Sequence, residues 1–183
     1  MAGLTHAAFL RGVNLAGKRK TGSAELRACF EAIGFEDVQT FRTSGNVVLD
    51  AGREPAERLC ARLEAALLDS FGFKVRVFLR TAAQVRAMAA HRPFPAAAVE
   101  RSEGKVQVAL LEEAPSAAVR KRVLAMATEA DRLAFRGREL YWLPSGRMSD
   151  SALNLKAVER LTDPWTMRTK ATLELLAAKF FGA

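Results

Sequence analysis

The chain is poor in the residues that staple or metallate small proteins. Of its 183 residues only two are cysteine, Cys29 and Cys60, and two histidine, His6 and His91. Each cysteine falls inside a helical pattern of apolar residues. A secreted disulfide framework is therefore excluded, and a reducing, cytoplasmic setting is expected. Neither histidine stands at ligand spacing from a cysteine or an acid, so neither a metal nor a cofactor is expected. No apolar run approaches the about 20 residues that cross a bilayer. The opening Met1-Ala2-Gly3-Leu4-Thr5-His6 lacks the basic-then-apolar order of an export signal, so a protein neither exported nor membrane-inserted is expected. A Gly-x-Ser-x-Gly elbow and a Gly-x-Gly-x-x-Gly fingerprint are both missing. Gly17-Lys18 is followed by Arg19 where a P-loop needs a magnesium-holding hydroxyl. The chain is therefore not a P-loop protein and has no elbow serine, dinucleotide binding has no support, and the residues assign no reaction.

What the chain does have is apolar mass and positive charge. Half the residues are apolar, enough for one domain or two small packed subdomains. The 28 basic residues against 20 acidic give +8, a balance suited to nucleic acid, phosphorylated ligands or an anionic surface. The excess is even, with 14 basic and 10 acidic residues in each of 1–100 and 101–183, so no half is a polycationic arm.

Residues 6–10 form a short apolar run that reads as a buried strand. Leu26, Cys29, Phe30 and Ile33 then fall at helical spacing between a Ser23 cap and a Gly34 stop. Residues 38–42 and 46–50 read as two strands around the turn Thr43-Ser44-Gly45-Asn46. Pro55 opens a second helix ending at Gly72, and residues 75–81 alternate as a fourth strand. The order βαββαβ is that of the split βαβ, ferredoxin-like sandwich with both helices on one face. Thr81-x-x-Gln84 is a capping box for a helix running toward His91, after which Arg92-Pro93-Phe94-Pro95 breaks regularity. Strand, helix and hairpin patterns then recur over residues 106–143, a helix begins at Ser151, and a last amphipathic helix follows Asp163-Pro164. The expected fold is α+β in two subdomains: an N-terminal βαββαβ unit over 1–91, a linker over 92–103, and a βαββα unit with a C-terminal helix over 104–183. The halves match in element order, without a visible residue-level repeat.

The chemically richest stretch is Arg11 to Gly22, with four cations, three glycines and no acid at a strand-to-helix turn. Freed N–H groups and a helix dipole favour a negative ligand there. In the split βαβ order the first two strands run parallel, so this loop and the Thr43-Ser44-Gly45-Asn46 turn share one edge. Arg11 suits a bidentate contact with a carboxylate or phosphate, Lys18 a point-charge contact, and Ser44 and Asn46 short hydrogen bonds. Glu112-Glu113 at a strand end would point apart and read as surface charge. Recognition of RNA by the sheet is disfavoured, because Asn46-Val47-Val48-Leu49-Asp50 carries no stacking aromatic.

Phe9-Leu10-Arg11-Gly12-Val13-Asn14-Leu15-Ala16-Gly17-Lys18, Gly34-Phe35 and Thr43-Ser44-Gly45-Asn46-Val47-Val48 resemble, in order, segments of a bacterial family catalogued as domain of unknown function 1697. Arg80-Thr81, Pro93-Phe94-Pro95 and Thr166-Met167-Arg168-Thr169-Lys170 continue the likeness. The resemblance implies a two-subdomain α+β protein and no reaction. It puts Arg11, Gly12, Asn14, Gly17, Lys18, Ser44, Gly45, Asn46, Arg168 and Thr172 on signature positions. The chain departs from the family pattern at Ala16, commonly glycine, and at Thr169-Lys170-Ala171, where many members carry asparagine-tryptophan-asparagine.

The leading expectation is a small anionic or phosphorylated ligand held by Arg11, Asn14, Lys18, Ser44 and Asn46, with Arg168 and Lys170 as candidates to close the site. Contact with nucleic-acid phosphate and a protein-interaction role stay open beside it.

Overall fold

The computed structural model of the chain describes residues 3–13, 21–42, 45–102 and 105–182. The chain divides into two units, one of Met1–Ala87 with Leu176–Ala183 and one of Met88–Leu175. In the first, β1 (His6–Arg11), α1 (Ser23–Ala32), β2 (Gln39–Thr40), β3 (Asn46–Leu49), α2 (Ala56–Phe71) and β4 (Arg76–Thr81) are followed by α3 (Ala82–Ala90). The sheet order is β2-β3-β1-β4 with every neighbour antiparallel. This is the split βαβ arrangement expected from the sequence.

Ala8 and Leu10 of β1, Val47 and Leu49 of β3, and Val77 and Leu79 of β4 pack with Leu26 and Phe30 of α1 and Leu59, Leu63 and Leu67 of α2. The alternate residues Ala7, Phe9, Val48, Phe78 and Arg80, on the other face, are buried as well. A strand buried on both faces cannot alternate apolar with polar residues, which is why β1 reads as a continuous apolar run.

The second unit contains α4 (Ala96–Arg101), β5 (Gln107–Leu111), α5 (Ala117–Leu124), β6 (Asp131–Arg136), β7 (Glu139–Pro144), α6 (Leu155–Thr162), β8 (Trp165–Thr169) and the start of α7 (Lys170–Phe180). Its sheet order, β6-β7-β5-β8, is the first unit's order again. Strand β8 adds an element to the sequence reading, which ran from Pro164 into the last helix. Trp165-Thr166-Met167-Arg168-Thr169 is mixed in character and forms a strand by pairing with β5 at the sheet edge.

The repetition extends to individual residues. Ala7 pairs with Val48 and Arg80, and Val108 with Tyr141 and Arg168. The Ala82 N–H donates to Thr5 O at 2.8 Å, and the Lys170 N–H to Val106 O at 2.8 Å. Arg80-Thr81 and Arg168-Thr169 thus occupy one structural position, an arginine buried on the fourth strand and a threonine at the strand-to-helix turn. Thr81 Oγ1 accepts from the Gln84 N–H at 3.2 Å and Thr169 Oγ1 from the Thr172 N–H at 3.2 Å.

A buried carboxylate ties the second unit together. Asp131, 1% exposed, accepts from Trp142 Nε1 at 2.8 Å and Ser151 Oγ at 2.7 Å through one oxygen, and from Thr128 Oγ1 through the other. With its hydroxyl engaged there, Ser151 does not start the helix. Asn154 does, accepting from the Ala157 N–H at 3.0 Å. Replacing Asp131 by Ala would leave the buried indole N–H without its acceptor, so Asp131→Ala is expected to cost about 2–4 kcal/mol in urea unfolding. Asp131→Asn keeps an acceptor oxygen for Trp142 and Ser151 and should cost under about 1 kcal/mol by the same measurement.

Candidate functional site

The end of β1 and the start of β3 meet in the first unit. The Leu10 N–H donates to Gly45 O at 2.8 Å, and Phe9 faces Asn46 across the ladder. Gly45 has φ +66°, and a Cβ there would lie 2.5 Å from Val13 Cγ2 and 3.1 Å from Leu10 Cβ. The backbone of the turn can rest on the entrance to the basic loop only because residue 45 has no side chain. Asn46, 1% exposed, donates from Nδ2 to Phe41 O at 2.9 Å, and its own carbonyl accepts the Phe41 N–H at 2.9 Å. Asn46 and Phe41 are thus joined by two hydrogen bonds. Asn14, Lys18 and Ser44 lie outside the described residues.

Across the other edge of β1, Arg11 stands directly opposite Arg76, the first residue of β4. Side chains opposite one another on antiparallel strands share a face about 5 Å apart, so two guanidinium-bearing side chains stand side by side. By strand alternation they lie on the face of Phe9 and Asn46, away from α1 and α2. Arg76 went unnoticed in the sequence because it reads there as the polar member of an alternating strand. Only the register brings it to Arg11.

Arg168 and Lys170 make their contacts in the second unit. Arg168, 8% exposed, donates from Nη1 to Thr166 Oγ1 at 2.9 Å and Met167 O at 2.8 Å. Burial lowers its guanidinium to about 10, still charged at neutral pH. Lys170 donates from Nζ to Ala89 O at 2.7 Å and Glu174 Oε1 at 2.5 Å. Among the described residues no three His, Cys, Asp or Glu side chains cluster as a metal site would require.

The two units differ where the candidate site lies. In the first, the chain between β1 and α1 spans residues 12–22, but between β5 and α5 only 112–116. The Leu111 N–H donates to Arg138 O at 2.9 Å, which makes Arg138 the counterpart of Gly45 and Glu112 that of Arg11. Residues 42–45 close the first hairpin and 137–138 the second. At the equivalent edge the second unit has shorter connections and an acid.

Residues 4–141 match the family described as Protein of unknown function (DUF1697). The chain belongs to this family. Arg11, Gly45, Asn46 and Arg76 fall within the match, and Arg168 and Lys170 beyond it. Among solved structures, the conserved bacterial protein SP0830 from Streptococcus pneumoniae is similar, with a TM-score of 0.70 and 20% identity over 96% of this chain and 97% of that one. That likeness shows the shared fold. No curated protein matches the chain.

Gly45→Ala is expected to cost about 2–4 kcal/mol in urea unfolding, combining left-handed strain with the Val13 clash. Gly72→Ala, with φ +71° but nothing within 4 Å of the added Cβ, should cost about 1 kcal/mol.

Both histidines are held below the ordinary imidazole value of 6.5. For His6 the cause is burial, opposed by Asp50. For His91 it is burial first, then the charges of Arg136, Lys170 and Arg92, against Glu139. A lowered folded pKa means that the unfolded chain takes up these protons first as the pH falls. Stability should therefore be level above about pH 7.5 and fall as the pH drops through 6.5. Urea midpoints measured between about pH 7.5 and 5.5 should show this decline, and His6→Gln with His91→Gln should flatten it.

Proposed function

We propose that this chain binds a small anionic or phosphorylated ligand at the edge of its first unit formed by residues 11–22 and 43–46. Arg11, Asn14, Lys18 and Ser44 are the contacts read from the sequence, Arg76 joins them, and Asn46, also read as a contact, is buried and bonded to Phe41 at the base of the turn. The observation that carries this reading is the pairing of Arg11 with Arg76 across the β1–β4 ladder. The register sets two guanidinium-bearing side chains on one face, and an oxyanion lying between them would take charge-assisted hydrogen bonds from both. The edge is also where the first unit departs from its own structural repeat, in longer connections and in the sign of the charge. Binding groups concentrate on such connections, carried by a rigid scaffold. Arg168 is engaged within β8, and Lys170 with Ala89 and Glu174. A cytoplasmic location accords with the two free thiols, Cys29 and Cys60. Among the described residues no helix is long and apolar enough to cross a membrane.

A second reading, contact with nucleic-acid phosphate, is favoured by one observation of its own. Phe41 meets Phe180 edge-on at 5.9 Å, Arg42 lies over Phe41, and Lys179 lies over both rings. Aromatic rings flanked by cations are the chemistry of single-strand binding.

Thermal unfolding with nucleotides, sugar phosphates and carboxylates separates the two. A ligand at 100 times its dissociation constant adds about 2.7 kcal/mol of stability, and Arg11→Ala or Arg76→Ala should abolish most of that shift. Unchanged shifts in both variants would overturn the proposed edge. Salt-sensitive binding of random single-stranded DNA, with no small-molecule shift, would favour the second reading.

A further inference from the structure

The second unit contains a cavity of about 300 Å³ with a divided lining. Pro93, Phe94, Val99 and Val106 form an apolar wall, while Arg92, Lys105, Lys170 and Glu174 bring charge to it. The volume matches the lower end of small-molecule sites, which are mostly apolar with a few convergent polar groups.

The charges do not cancel. Glu174 Oε1 receives both Lys170 Nζ, at 2.5 Å, and Arg92 Nη2, at 3.3 Å, so one carboxylate faces three cations around the cavity. Lys170 is the informative member. Its side chain is only 9% exposed, and its ammonium has three N–H donors. Ala89 O and Glu174 take two of them. A nearly buried ammonium with a donor to spare, on the wall of a cavity, is costly unless something polar arrives there. Ala171, in the first turn of α7, lines the same space, where the helix dipole adds further positive potential.

We propose that this cavity binds a small amphipathic oxyanion, a carboxylate or phosphate monoester on an apolar body. The body lies against Phe94, Pro93 and Val99, and the anionic group takes the spare donor of Lys170 together with Arg92 and Lys105. A bare inorganic anion would leave the apolar wall wet, and a neutral apolar molecule would leave the surplus cations without a partner. The site uses none of the residues of the Arg11 edge.

Isothermal titration of the full chain with phenyl phosphate and with phenylacetate distinguishes the two oxyanions, and inorganic phosphate and benzyl alcohol supply each half alone. Saturable binding of at least one amphipathic probe, tighter than either half, is expected. Arg92→Gln combined with Lys105→Gln changes two exposed side chains and should weaken binding about tenfold or more. Ala171→Trp fills the cavity from an exposed position and should abolish binding while the circular dichroism spectrum is retained. Glu174→Gln removes the competing carboxylate and should tighten binding. Titrating Arg11→Ala alongside separates the two sites: a component of the isotherm lost in Arg11→Ala belongs to the Arg11 edge, whereas the component assigned to this cavity persists there and is lost in Ala171→Trp. No saturable binding by either probe, inorganic phosphate binding as tightly as phenyl phosphate, or an isotherm indifferent to Ala171→Trp would each overturn the proposal.

Discussion

The central place of β1 is the constraint on which the first unit depends. Each βαβ crossover leaves a gap one strand wide, so β3 enters between β1 and β2, and β1 itself between β3 and β4. A strand hydrogen-bonded along both edges and buried on both faces has little freedom of register, because a slip of one residue would turn its core side chains to the wrong face. Its C-terminal end is then fixed against the first residues of β3 and β4. The contact of Gly45 with Leu10 and Val13, and the pairing of Arg11 with Arg76, both follow from that geometry.

The second unit acts as an internal comparison. Features common to both units answer to the fold: the strand order, the backbone bond from the start of the helix to the residue ahead of the central strand, and the buried arginine with its threonine cap. Arg168 is thereby the counterpart of Arg80, and its bonds to Thr166 and Met167 lie within its own strand. Features peripheral to that common frame differ between the units. The long basic connection, the longer hairpin and the arginine pair occur in the first, and the cavity beside Lys170 in the second. A duplicated scaffold whose two copies carry different chemistry at their margins is economical, since the sheet provides rigidity and the connections provide specificity.

Much of this could be read from the chain in advance. Leu59, Leu63, Ala66 and Leu67 state their helix by spacing alone, as do Leu26, Cys29 and Phe30, and the alternation of Val75, Val77 and Leu79 states a strand. Strand β8 was hidden because Trp165–Thr169 lacks an apolar run. An edge strand with one partner needs none, and its pairing with β5 supplies the order that its composition does not. Ser151 misled as a helix cap because a hydroxyl that could have capped α6 is bound instead to a carboxylate twenty residues away.

What the sequence determined by itself was local: which segments are helical, which are strands, where turns require glycine, and that one strand-to-helix connection concentrates positive charge. These properties depend on neighbours within a few positions, through periodicity, capping and backbone freedom. The tertiary structure decided which distant residues share a surface. Arg76 became a partner of Arg11, Gly45 a bearing surface for Val13, and Lys170 the wall of a cavity with Phe94 and Glu174. The reason is register: hydrogen bonding between strands far apart in the chain sets side chains opposite one another to within a single residue, and no local pattern contains that alignment.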